Sequence, residues 1–74
     1  MRVYTIRFEP DDFVQYEHLF GHKVRADDYG CASVYVLADN DVQIALMFPE
    51  ARICVRYSEL STPSFAGLIG YSFE

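Results

Sequence analysis

Residues 33 to 48 read SVYVLADNDVQIALMF, and the reading of this stretch decides the fold. SVYVLAD (33–39) is rich in β-branched and aromatic residues and predicts a strand. Asp39, Asn40 and Asp41 supply turn chemistry, because Asp and Asn tolerate tight-turn backbone angles. In VQIALMF (42–48), Val42, Ile44, Leu46 and Phe48 recur at every second position, the period of a half-buried strand. The stretch therefore predicts a β-hairpin that turns at residues 39–41.

Outward from the hairpin, residues 1–9, MRVYTIRFE, also alternate. Tyr4, Ile6 and Phe8 are expected to point inward, with Val3, Thr5 and Arg7 on the other face. Pro10, Asp11 and Asp12 suit the first turn of a helix: proline needs no amide partner there, and carboxylates favour the positive end of the dipole. Phe13, Val14, Tyr16 and Phe20 carry that helix to about residue 20. Gly21 is the expected left-handed stop. HKVRADDYGCA (22–32) reads as a polar loop, with room for a short helical turn in VRADDYG. Beyond the hairpin, ARICVRYSE (51–59) alternates Ile53, Val55 and Tyr57 against Arg52, Cys54 and Arg56. The tail reads as a loop and a short terminal strand over GLIGYSF, in preference to a helical turn begun at Ser61 to Pro63. The sum is a single domain, residues 1–74, of the α+β class. It is a small antiparallel-rich sheet ordered β-α-β-β-β, with an extra C-terminal strand and one helix packed on one face.

Composition narrows the function. A chain of 74 residues has a thin stability margin. Yet 51% of it is hydrophobic, with six Tyr and six Phe, more apolar material than one small core easily hides. An exposed remainder points to a protein partner or to self-association as a homodimer. Eleven acidic against six basic residues give a net charge of −5. That charge disfavours direct binding of nucleic acid and favours a basic partner surface. No stretch approaches the roughly 18 apolar residues of a membrane span. The start lacks a basic segment followed by an apolar run. The expectation is a cytoplasmic chain with Cys31 and Cys54 reduced, both of them small buried hydrophobes.

His18 and His22 stand four positions apart in YEHLFGHK (16–23), the spacing of half a zinc site. The stop at Gly21 separates them, and no ligand pair of defined spacing follows, so the expectation is no metal and no cofactor. Cys31 or Cys54 with His18 would need a third group to hold the base. Glycine-rich phosphate loops, nucleophile elbows and paired carboxylates with a supporting base are absent from the sequence, so the chain reads as a non-enzyme. Arg7, Arg52 and Arg56, with Tyr35 and Leu37, are expected to share the sheet face turned away from the helix. Such a face suits a protein partner better than RNA at this net charge.

The acids fall into two groups: Glu9, Asp11 and Asp12 before the helix, and Asp27 and Asp28 after it. Either they are caps and turns, or they imitate a phosphate backbone. In size, acidity, aromatic richness and lack of catalytic motifs, all 74 residues resemble the small proteins of phages and mobile elements, the anti-CRISPR proteins among them. The resemblance implies an inhibitor in the host cytoplasm that binds a CRISPR–Cas or other nucleic-acid-binding complex and occludes its basic surface. It carries no residue role with it. From the residues themselves, the expected partner-binding positions are Asp11, Asp12, Asp27 and Asp28, with exposed Tyr16 and Tyr29 beside them. The alternative is a small homodimeric structural or regulatory domain pairing through its terminal strand.

Overall fold

A computed structural model describes residues 1–57, 65 and 67–73. Strand β1 (Arg2–Phe8) is followed by a one-turn helix α1 (Pro10–Phe13), a 3-10 turn (Glu17–Leu19) and a two-residue strand β2 (Arg25–Ala26). Then come β3 (Ala32–Ala38), helix α2 (Asp41–Met47), β4 (Arg52–Tyr57) and β5 (Ile69–Ser72). The sheet runs β2-β3-β1-β4, and β5 lies along β3. All pairings are antiparallel except β3 with β5. The expected α+β class and antiparallel-rich sheet are therefore present.

The hairpin is not. Residues 41–47 form α2, and the reason lies in Asn40. Its backbone is extended (φ −159°, ψ 174°), and its side chain accepts a hydrogen bond from the Gln43 amide. Gln43 in turn uses its side-chain oxygen to accept from the Asp39 amide at 2.7 Å. Two amides at the helix start, which have no intrahelical partner, are thus satisfied reciprocally. Asp41 adds a carboxylate to the first turn. The period-two pattern of Val42, Ile44, Leu46 and Phe48 divides on the helix into two faces four residues apart. Ile44 and Phe48 are buried, whereas Val42 and Leu46 are 62% and 80% exposed. The helix closes with the Phe48 amide on the Ile44 carbonyl at 2.7 Å, and Pro49 prevents its continuation.

The first helix is shorter than its periodicity suggests. After Phe13 the chain tightens into turns, with Tyr16 N–H to Phe13 O at 2.8 Å and Leu19 N–H to Tyr16 O at 2.9 Å. A three-residue repeat keeps Phe13, Tyr16 and Leu19 against the core. Gly21 ends the segment at φ +57° as expected, a backbone that costs glycine no steric strain. The loop expected over 22–32 contains β2, which pairs Arg25 with Ser33 and Ala26 with Ala32. The tail forms β5, as preferred. The helical turn weighed for residues 61–63 lies outside the described residues.

The core sits between one sheet face and the helices. Tyr4, Ile6 and Phe8 of β1, as expected, and Val34, Val36 and Ala38 of β3 meet Phe20, Ile44 and Phe48. Phe8 has ring neighbours in Phe13, Tyr16, Phe20 and Phe48, with centroids 5.3 to 5.9 Å apart. Phe48 also meets Tyr71 and Phe73 from the C-terminal segment. Tilted and edge-on ring pairs at such distances contribute about 0.5–1.5 kcal/mol each beyond area burial.

A bulge sets which side chains of β4 face this core. Thr5 pairs with Val55, but Ile6 pairs with Ile53, leaving Cys54 as the extra residue. Arg56 consequently lies opposite Tyr4 on the helix-bearing face and meets Asp41 at 2.7 Å. The expected trio of Arg7, Arg52 and Arg56 on the second face is thus corrected. Arg7 and Arg52 remain there, and Arg25, opposite Ser33, joins them. The bulge also leaves Cys54 exposed rather than buried.

Two substitutions test this architecture. Asn40→Ala is expected to cost about 1 kcal/mol, the loss of an N-cap, and Phe48→Ala about 3–5 kcal/mol. Urea unfolding measures both, and an Asn40→Ala midpoint equal to the parent's would contradict the capped helix.

Candidate functional site

The two acidic groups of the sequence meet at one end of the sheet. Phe8 closes β1 and pairs with Ala32, which opens β3. Residues 9–12 and 27–31 therefore leave the sheet side by side. Gly30 (φ +81°) turns the second segment so closely beneath the first that a Cβ there would stand 3.6 Å from Pro10 Cγ. The Cys31 thiol donates toward Glu9 Oε2 at 3.5 Å. Burial, and then that contact, push the Cys31 thiol above its ordinary pKa. It is therefore less of a nucleophile than a free cysteine.

Asp27 builds the loop. Its Oδ1 accepts from the Tyr29 and Cys31 amides at 2.9 and 3.0 Å, and its Oδ2 accepts from Arg7 Nε and Nη2 at 3.1 and 2.7 Å. The Arg7 guanidinium, with the two backbone amides, holds the Asp27 carboxyl below the usual carboxylate range. Of the four acids expected to meet a partner, Asp27 is thus committed within the fold. Asp11 and Asp28 are exposed, and Asp12 is half-buried. Glu9, exposed beside them, belongs to the same surface. Tyr29, 84% exposed, stands next to Asp28 at the loop tip. Val14, 65% exposed just beyond α1, is a further apolar side chain near this end, and the helical reading of residues 10–20 gave no reason to single it out.

Tyr16 is not an exposed neighbour of these acids. Its ring packs on Phe8 and Phe48 at 5.3 and 5.2 Å, and its hydroxyl donates to Glu50 Oε2. That hydrogen bond, with desolvation, pushes the Tyr16 hydroxyl up to about 12 and holds Glu50 below its ordinary value. Tyr16 therefore ties the 3-10 segment to the end of α2.

Elsewhere the polar groups serve the fold. The Arg56 guanidinium lowers the Asp41 carboxyl. The Tyr4 hydroxyl lies fully buried beside that pair without a hydrogen-bond partner, and burial raises its pKa. His18 lies in the 3-10 turn and His22 beyond Gly21, both exposed. Among the described residues, no three His, Cys, Asp or Glu side chains gather as a cation site. Nor is any described helix long and apolar enough to cross a membrane. No family model, curated protein or solved structure matches the chain.

The lowered carboxyls fix a pH dependence. Asp27, Asp41 and Glu50 titrate below their unfolded values, so their contribution is complete above those values and is lost as pH falls through the folded ones. Stability should decline as pH drops below about 4. Arg7→Gln should return the Asp27 carboxyl toward its ordinary range and flatten that decline. Carboxyl NMR titration of both proteins measures this, and an unmoved Asp27 would remove the Arg7 pair from the account.

Proposed function

We propose that the chain is a non-enzymatic protein-binding module that uses its acidic end to cover a basic surface, of the kind with which a protein grips nucleic acid. The most concrete form of this reading is an inhibitor of anti-CRISPR type, acting on a host defence complex. The observation that carries it is the register Phe8 to Ala32. It collects Glu9, Asp11, Asp12 and Asp28 from two distant segments on one end, beside the exposed ring of Tyr29. Carboxylates at such an end imitate a row of phosphates. Tyrosine supplies large contact area at low entropy cost and is enriched at interface centres. Asp27 enters as the residue that shapes the loop, and Tyr16 as a packing residue behind it.

A second reading, a homodimeric structural or regulatory domain, draws on the outward face of α2. Val42 and Leu46 stand exposed one turn apart there, an apolar pair of the kind a partner surface covers. The terminal strand is the other route: β5 is bonded along β3 and sends Tyr71 into the core, and among the described residues no strand pairs its other edge.

The two readings separate in one experiment. The tagged protein is used to capture partners from host lysate, and the eluate is weighed by light scattering and challenged with duplex DNA. Recovery of a nucleic-acid-handling assembly that DNA displaces, and that Asp11→Lys with Asp28→Lys abolishes while the variant stays folded, is the expected outcome. Binding that survives both charge reversals would exclude the acidic end. Recovery of the chain alone at twice its mass, reverting to monomer on Leu46→Asp, would transfer the conclusion to the dimer.

A further inference from the structure

The second face of the sheet carries the opposite charge. Cross-strand partners share a face, so the pairings place Arg52, Arg7, Ser33 and Arg25 in one row across β4, β1, β3 and β2. The next row is Val55, Thr5, Tyr35 and Ile69. Where β2 ends and β5 begins along β3, a cleft of about 430 Å³ opens over these rows. Thr5, Ser33 and Tyr35 form its floor, and Val24 and Leu68 are apolar walls. His22, Lys23 and Arg25 line it as well. Among the described residues, neither Lys23 nor Arg25 is paired with a carboxylate, whereas Arg7 and Arg56 are. An acidic protein thus gathers cationic groups, without a carboxylate partner among the described residues, around a concave site with a half-buried tyrosine ring.

We infer that this cleft binds a small organic phosphate: a phosphate monoester carrying a flat ring, of the size of a nucleoside monophosphate. The volume lies within the roughly 300–1,000 Å³ of small-ligand sites. The ammonium of Lys23, the guanidinium of Arg25 and the hydroxyl of Ser33 suit a dianionic group with several acceptor oxygens. Leu68, half exposed, and the half-buried Tyr35, whose ring is held in place by Tyr57 and Phe65, offer a ring the apolar surface it needs. A long single strand is disfavoured, because Asp27 and Asp28 directly follow β2 and the acidic end would repel phosphates running past the cleft. This site is independent of the proposed protein-binding end.

The test is an amide NMR titration of the whole chain with adenosine 5′-monophosphate, adenosine, inorganic phosphate and a ten-nucleotide adenylate strand. The monophosphate should shift residues 22–25 and 33–35. It should bind about tenfold or more tightly than adenosine or phosphate alone. Lys23→Gln and Arg25→Gln should each weaken it about tenfold while the Asp28 and Tyr29 amides stay in place. Lys23, in an exposed loop segment, keeps the test open should Arg25→Gln disturb β2. Three results would overturn the inference: no shift in these residues with the monophosphate, equal binding of adenosine, or binding of the ten-nucleotide strand without the monophosphate.

Discussion

The structure depends on the contact between Phe8 and Phe48. Phe8 ends the central strand, and Phe48 ends α2; both are almost wholly buried, their rings edge-on at 5.8 Å. Around this pair gather Phe13, Tyr16 and Phe20 from the segment after β1, and Tyr71 and Phe73 from the C-terminal strand and its end. The segment after β1, which has little regular structure of its own, and the C-terminal segment are thereby held to one sheet face. A four-residue helix and a 3-10 turn are too short to be stable alone. They persist because Phe13 within α1, and Tyr16 and Phe20 on either side of the 3-10 turn, place rings in a shared cluster, and the aromatic content of so small a chain follows from that requirement.

The single extra residue at Cys54 has consequences for charge. Without the bulge, strict alternation would leave Arg56 on the second face with Arg7 and Arg52. With it, Arg56 turns to the helix side and meets Asp41 at the start of α2. The same carboxylate therefore both favours the helix dipole and anchors the edge strand. The bulge and the arginines flanking it also interrupt the exposed edge of β4, which hinders pairing with another chain.

Much of this was legible in the residues, and the failures have definite causes. The inward face of β1, the stop at Gly21 and the terminal strand follow from local rules that tertiary packing left intact. The reading of 42–48 as a strand failed because apolar residues at 42, 44, 46 and 48 satisfy period two and also two i, i+4 pairs. The Asn40-x-x-Gln43 cap was the signal that separates these cases, and the turn propensity of Asp39–Asp41 concealed it. The exposed tyrosine expected at position 16 failed for a related reason: helical phase was assigned as though the segment ran unbroken to residue 20. The meeting of the acidic groups could not be read from composition, since it depends on the register of β1 with β3. Of the cation row, Arg7 and Arg52 followed from alternation, whereas Arg25 required the two-residue strand β2, and the bulge removed Arg56 from it.

The two charged surfaces also bear on each other. Like charges gathered at one end of a small domain repel, and the fold offsets only part of this, through the Arg7–Asp27 pair. Arg7 lies in the cation row and Asp27 in the acidic loop, so this ion pair joins the two surfaces and keeps them in fixed relation. Glu9, Asp11, Asp12 and Asp28 bring four carboxylates to this end, and hydrogen bonds at Asp27 already order much of the loop that would meet the proposed basic partner. Less conformational entropy then remains to be lost on association. An acidic surface held in place by its own backbone hydrogen bonds is what the proposed occluding role requires, and its affinity for a basic surface would weaken as salt screens both sides.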